Sequence, residues 1–245
     1  MINHPEPRQK NKDLKTEIVD QLLEEQIRYY RERAPEYDEW FFRRGRYDWG
    51  PEQTRLWFKE IEEVRHSLDS SNPTGHVLEL ACGTGLWTEQ LVPYAARLTA
   101  VDSSPEAIEC NRRRVKSNHV EYQLVNLFEW SPNKRYDFVF FGFWLSHVPP
   151  SRFITFWNLV RNCLAPGGRV FFVDSRRHPA TTAQGQSPVD PNAMRSRRRL
   201  NDGREFDIVK IFYKPEELEL QLSLLGWRAT VRGTANFFLY GSVAT

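Results

Sequence analysis

His76-Val-Leu-Glu-Leu-Ala-Cys-Gly-Thr-Gly-Leu-Trp-Thr-Glu-Gln-Leu91 reads as a buried strand, a tight glycine turn and the start of a helix. Residues 76–80 carry the apolar run of a parallel strand covered on both faces. Gly83 and Gly85 let the chain turn with no Cβ in the way, and helical spacing resumes at Leu86. A helix leaving such a turn points unpaired N–H groups and the positive end of its dipole at whatever lies above it, which suits a small charged ligand.

A dinucleotide turn needs Gly-x-Gly-x-x-Gly, the third glycine letting helix and strand pack closely around a pyrophosphate. Here Leu86, Trp87 and Thr88 follow Gly85, and the pattern is Glu79-x-Ala81-x-Gly83-x-Gly85. NAD and NADP are disfavoured. A carboxylate at Glu79 repels a pyrophosphate but suits a ligand with an ammonium group. Leu98-Thr-Ala-Val-Asp102 is a second short apolar run ending in an acid. Asp102 is placed to accept hydrogen bonds from ribose hydroxyls, as the acid closing the second strand does in doubly wound folds.

Outward from the turn, strand and helix signals alternate as in a parallel sheet covered on both faces. Ser104-Pro105-Glu106 starts a helix with a capping hydroxyl and a proline in its first turn. Residues 121–125, 136–143 and 169–174 read as the third to fifth strands, and Phe153, Phe156, Trp157, Val160 and Leu164 mark a helix between the last two. Residues 206–213, 215–226 and 228–244 close the chain as strand, helix, strand. Upstream, Ile18, Leu22, Ile27 and Tyr30 fall at helical intervals within 15–34, and Trp57, Ile61, Val64 and Leu68 make one stripe after Pro51. Residues 1–14 have the composition of a disordered tail.

These features resemble the class I S-adenosylmethionine-dependent methyltransferases, whose glycine turn opens with Asp or Glu. Leu-Ala-Pro-Gly-Gly-Arg-Val at 164–170 resembles the loop before that family's fifth strand, and the closing elements resemble its terminal hairpin. The resemblance implies a doubly wound, Rossmann-like α/β fold, mostly parallel with an antiparallel last strand. Residues 15–72 would form an N-terminal helical lid and 73–245 the methyltransferase domain, with 175–205 as a lid-like insertion. It implies S-adenosylmethionine as cofactor and S-adenosylhomocysteine as product. Carried over by position, Glu79 partners the methionine ammonium, Ala81, Gly83 and Gly85 form the backbone wall, and Asp102 takes the ribose. Ser103 lies beside the adenosine, and Asn126 stands where the family often has an acid for the adenine amino group. Leu127 is an apolar neighbour of the ring, the Phe143 carbonyl meets the ammonium, and Tyr37 reaches the cofactor from an aromatic-rich lid helix.

Composition sets the remaining limits. The 245 residues carry 34 Lys and Arg against 32 Asp and Glu, so no overall field draws the chain to nucleic acid or an anionic membrane. Cys82, Cys110 and Cys163 show no metal-ligand spacing, and no metal site is expected. Such cysteines, with no secretion signal or bilayer-length apolar run, point to a cytoplasmic protein.

The acceptor is expected to be a small molecule. Tyr29 and Tyr30 in the aromatic-rich lid, Trp144 after the fourth strand and Arg176 after the fifth are candidate contacts. His147 has the near-neutral pKa of a general base, though a histidine there also serves to order the loop before Pro149. Arg195-Ser-Arg-Arg-Arg199 is either a basic collar for an anionic acceptor group or a solvated run. An oxygen nucleophile is placed first and a small amine next. RNA or protein methylation, and a catalytically silent cofactor-binding protein, stand as alternatives.

Overall fold

The structure, a computed structural model, describes residues 7–186 and 194–245, with side chains from residue 16 onward. Among these, nine strands form two sheets: β1 (Gly75–Leu80), β2 (Ala95–Asp102), β3 (Val120–Leu124), β4 (Tyr136–Gly142), β5 (Leu164–Ser175), β6 (Arg195–Arg199), β7 (Glu205–Val209), β8 (Arg228–Gly233) and β9 (Phe238–Ala244). Seven of them are ordered β3-β2-β1-β4-β5-β9-β8, and β6 pairs with β7 in a separate ribbon. The pairs from β3 to β5 are parallel, and β9 runs antiparallel between β5 and β8. Strand order reverses between β1 and β4, and a ligand crevice belongs at the carboxyl ends of strands at such a reversal.

Alternation along the strands fills both faces. Phe138, Phe140, Phe171 and Val173 pack on one side, Val139, Phe141, Val170 and Phe172 on the other, all nearly inaccessible to solvent. That is why these strands read as continuous apolar runs. The first face is covered by α3 (Pro51–Ser70), which follows the short α2 (Tyr37–Phe41); its expected stripe of Trp57, Ile61, Val64 and Leu68 is fully buried. The second is covered by α6 (Phe153–Cys163) and α7 (Pro215–Leu224) through Phe156, Trp157, Leu218 and Leu222. α5 (Pro105–Val115) starts as expected, the Ser104 hydroxyl accepting from the Ala107 N–H at 3.0 Å.

Three expectations change. Residues 206–213 do not join the main sheet, because β7 pairs with β6 instead. Residues 228–244 are two strands, β8 and β9, joined by a turn in which the Thr234 N–H donates to the Phe238 carbonyl. The expected tail is partly helical, since α1 (Pro7–Arg33) already begins at Pro7, while residues 1–6 lie outside the described residues.

The buried face of α1 is also not the one its apolar spacing indicates. Ile18 is 56% exposed, and the face turned inward is Leu23, Gln26, Tyr29 and Arg33. Two of those four are polar, and pattern reading on apolar residues passes over them. This face lies on β7: the Asp207 N–H donates to Glu25 and the Val209 N–H to Gln26. Tyr29 packs with Leu200, Phe206 and Ile208. α1 and the β6–β7 ribbon are therefore packed together.

Candidate active site

The turn after β1 is set by backbone conformation. Ala81, Gly83 and Gly85 all have positive φ, at 53°, 53° and 92°. A Cβ on Gly85 would lie 2.7 Å from the Asn111 Oδ1, whereas one on Gly83 would meet nothing within 4 Å. Gly85 is thus needed for close packing, and Gly83 for its conformation beside open space. The helix that follows, α4 (Thr88–Leu91), has only four residues. The expected dipole contribution is accordingly small, and the turn itself shapes the site.

Asp102 ends β2 and braces that turn, accepting from the Gly83 N–H at 2.9 Å and the Ser104 N–H at 2.8 Å. Its carboxylate has lone pairs left for ligand hydroxyls. Burial raises its pKa, against the lowering by those N–H groups. Glu79 lies beneath the turn, 2% exposed, and accepts from the Thr88 hydroxyl at 2.6 Å. Asn111 donates to Thr88 and accepts from the Tyr122 hydroxyl, which completes a buried chain of hydrogen bonds. Burial pushes the Glu79 carboxyl up to about 8.

A cavity opens above the turn, lined by Ala81, Gly83, Thr84, Asp102 and Trp144 among others. The Trp144 indole N–H is buried and has no partner among the described residues. Phe143, at φ 56°, closes the end of β4, its own N–H held by the Val173 carbonyl at 2.7 Å. A second cavity lies under the lid. Tyr30, Tyr37, Phe143 and His147 line both, so these four side chains form the wall between them.

The second cavity is lined by three cations, Arg33, Arg198 and Lys210, and by no acidic side chain among the described residues. Arg33 is 7% exposed; it donates to the Tyr47 hydroxyl at 3.1 Å and sits over the rings of Tyr29, Tyr37 and Tyr47. No carboxylate pairs with it among the described residues. Lys210 donates to the Ser146 hydroxyl at 2.8 Å, with Asp174 behind it at 3.7 Å. Burial lowers the lysine to about 8, although Asp174 opposes the shift.

Arg198 shows how strand alternation divides the basic run. Arg195, Arg197 and Arg199 turn to the outer face of the ribbon, where Asp207 and Glu205 pair with them. Arg198 points the other way and lines the cavity. The run is thus divided between paired arginines on the outer face and one that borders the cavity.

His147 ends a single 3-10 turn after β4 and is 5% exposed. Its Nδ1 is 2.7 Å from the Val209 carbonyl, which can only accept, so Nδ1 carries the proton. Burial, reinforced by Lys210, holds the ring well below its ordinary pKa. Nε2 is then a bare acceptor, and the Tyr30 hydroxyl donates to it at 2.8 Å.

Most of the remaining candidates fall outside the two cavities. Ser103 and Leu127 line neither, and the Asn126 side chain accepts from the Phe128 N–H at 3.1 Å. Tyr29 is buried against the ribbon, and Arg176 is spent on the Thr234 and Ala235 carbonyls. Trp144 lines the first cavity rather than the second. Arg33, Tyr47, Arg198 and Lys210 were not anticipated individually. Only the basic character of the insertion hinted at one of them. Among the described residues no group of side chains could hold a metal, and no helix is long and apolar enough to cross a membrane.

The first cavity fits S-adenosylmethionine on three observations: a carboxylate with spare lone pairs at Asp102, an unpartnered indole N–H at Trp144, and open space over Gly83. Comparison with known proteins agrees. Residues 77–168 match the family model of a methyltransferase domain. A solved structure described as a DhpI–SAM–HEP complex is 39% identical, covering 91% of this chain and 98% of that one, with a TM-score of 0.76. Nodulation protein S of Rhizobium tropici is 32% identical over 44% of this chain, a match spanning 46% of the relative's length. The crystal structure of N-methyltransferase NodS from Bradyrhizobium japonicum, at 17% identity and a TM-score of 0.53, shares the fold over 79% of this chain and 98% of that one. The ubiquinone biosynthesis O-methyltransferase of Coxiella burnetii is 28% identical, covering 60% of this chain and 71% of the relative. The chain belongs to the class I S-adenosylmethionine-dependent methyltransferases.

Proposed function

We propose that the chain methylates a small molecule bearing an anionic group, bound in the cavity under the lid. The observation that carries this reading is the set of Arg33, Arg198 and Lys210 around a cavity with no acidic lining residue among the described residues. Arg33 is buried without a counter-charge, which is costly, and a phosphoryl, phosphono or carboxylate group supplies the missing charge and the bidentate geometry arginine favours. S-adenosylmethionine, when bound next door, supplies an electrophilic methyl group on a positive sulfur, which adds to the preference for an anion. Asp102 would take the ribose hydroxyls, Tyr37 and Phe143 would line the methionine end, and the lid would exclude water.

The receiving atom is the finer question, and the comparisons support nitrogen over the oxygen first expected. NodS is described as an N-methyltransferase, and a curated relative carries the name nodulation protein S. In this cavity the three cations penalise an ammonium, which favours the neutral, nucleophilic form of an amine. Oxygen keeps one specific argument. An anionic oxygen drawn to the cations needs no base, and one relative is named an O-methyltransferase. Unpaired cysteines fit a reducing compartment, and we place the protein in the cytoplasm on that ground.

The test is transfer from methyl-labelled S-adenosylmethionine to matched acceptors: amino and hydroxy compounds with a phosphonate, phosphate or carboxylate, and their neutral amide isosteres. The carbon chemical shift of the labelled methyl separates N-methyl from O-methyl products. Turnover confined to the anionic set is expected. Equal turnover of the neutral isosteres would sink the anionic assignment.

A further inference from the structure

We infer that Tyr30, on the N-terminal helix, is a catalytic residue: its phenolic oxygen takes the proton of the acceptor's nucleophile while its own proton passes to His147 Nε2. This rests on the methyl-transfer reading above, and deepens it by moving the proton-accepting atom from the histidine to the tyrosine. The geometry is directional. With Nδ1 committed to the Val209 carbonyl at 2.7 Å, Nε2 faces Tyr30 at 2.8 Å and is occupied by that hydroxyl. His147 therefore reaches an acceptor only through Tyr30. The tyrosine oxygen, its proton turned toward the ring, keeps its lone pairs for an O–H or N–H on the other side.

The arrangement is held from three elements. Gln26, 2% exposed, donates to the His147 carbonyl at 3.2 Å and accepts from the Val209 N–H at 3.0 Å. One side chain of α1 thus fixes both backbone groups flanking the imidazole. Tyr30 and Arg33 are three residues apart on that helix, hence on one face. An acceptor whose anionic group meets Arg33 brings its nucleophile toward Tyr30, at the wall shared with the cofactor cavity.

Protonation supports the direction of transfer. Burial raises the Tyr30 hydroxyl well above its ordinary value, so it is not a phenolate and must pass its proton on as it accepts one. The charged groups facing the pair are Lys210 from the segment after β7, Arg198 from β6 and Arg33 from α1, all positive. An imidazolium among them is disfavoured until an anionic acceptor is bound, which ties the proton step to the ternary complex. In balance, the nucleophile's lone pair bonds the methyl carbon, the carbon–sulfur pair stays on sulfur, and the displaced proton ends on Nε2 before release to solvent.

The experiment compares Tyr30→Phe and His147→Gln with the parent enzyme. The acceptors are one whose nucleophile must lose a proton, a hydroxyl or ammonium, and one that carries none, a carboxylate or phosphonate oxygen. Tyr30→Phe is expected to lower kcat about 10²–10⁴-fold for the first class, with little change in KM, and to leave the second class within about threefold. Titration with S-adenosylhomocysteine reports cofactor binding, which the phenylalanine should preserve. In nitrogen NMR of labelled protein, Nε2 of His147 should move on Tyr30→Phe while Nδ1 stays protonated. Equal losses for both acceptor classes, or an Nε2 signal unmoved by the substitution, would overturn the relay while leaving methyl transfer standing. A parent enzyme that methylates neither class would overturn both readings.

Discussion

The two cavities that meet at Tyr30, Tyr37, Phe143 and His147 are built in opposite ways. The cofactor side is made mostly of backbone: three positive-φ residues within five positions, the N–H of Gly83 on Asp102, and strand ends that are neighbours in one sheet. The side we assign to the acceptor is made of side chains from α1, β6, the segment after β7 and the stretch after β5, none of them adjacent in sequence. A site made of turn geometry tolerates few residues at each position and leaves a motif. A site made of long side chains converging from separate elements leaves none, and it is the part a family can vary without rebuilding its fold.

The sharpest way to break the comparison is on the backbone side. Gly85→Val puts a branched side chain against Asn111 at φ 92°, where L-residues are strained. Asn111 is linked through Thr88 to Glu79, so the displacement spreads beneath the turn. Loss of measurable S-adenosylhomocysteine binding is expected in calorimetry, with a stability cost of ~3 kcal/mol in denaturant unfolding. If the variant binds the ligand as the parent does, close packing at the turn is not what forms the cofactor site.

The matching change on the acceptor side should separate binding from stability. Arg33→Met removes a buried guanidinium that no carboxylate pairs with among the described residues, and keeps the volume and the contact with three tyrosine rings. Acceptor KM should rise about 30–150-fold, the ~2–3 kcal/mol of a buried charge-assisted contact, while cofactor affinity stays put. The ligand-free fold should be unharmed or stabilised by ~1 kcal/mol, because desolvation of the cation is relieved. Destabilisation by several kcal/mol would instead make Arg33 a structural residue.

The same contrast explains what was legible. The stripe Trp57, Ile61, Val64, Leu68 and the runs of β1, β4 and β5 are apolar at the period of their element, so burial and pattern coincide. On α1 they diverge, since Gln26 and Arg33 are buried for the sake of backbone groups, tyrosine rings and a cavity. In Arg195–Arg199 the useful information is which arginine faces in, and that follows only once the segment is known to be a strand. Residues 206–213 look like a sheet strand because Phe206 and Ile208 alternate correctly. Nothing local says that their apolar face meets α1 rather than the main sheet. Asp102 and the glycines needed no such knowledge, since their roles depend on residues within one turn and one strand end.

A gentler test sets one buried group from each side against the other. Glu79, 2% exposed beneath the glycine turn, and Lys210, 6% exposed beside the acceptor cavity, are both brought to about 8 by burial, from opposite directions. Below that pH Glu79 is neutral and Lys210 is charged; above it Glu79 is ionised and Lys210 is neutral. Raising pH through 8 therefore adds negative charge beneath the glycine turn and removes positive charge from the cavity under the lid. Cofactor affinity should climb and acceptor affinity should fall, each by less than about tenfold per pH unit. Glu79→Gln should leave the cofactor profile with only the ligand's own titration, and Lys210→Met should flatten the acceptor profile. Measured by calorimetry and by KM against pH, two slopes of opposite sign would show that the cavities are electrostatically separate despite their shared wall. Slopes of the same sign would mean that a single group governs both, and His147, which borders each cavity, would be the first to replace.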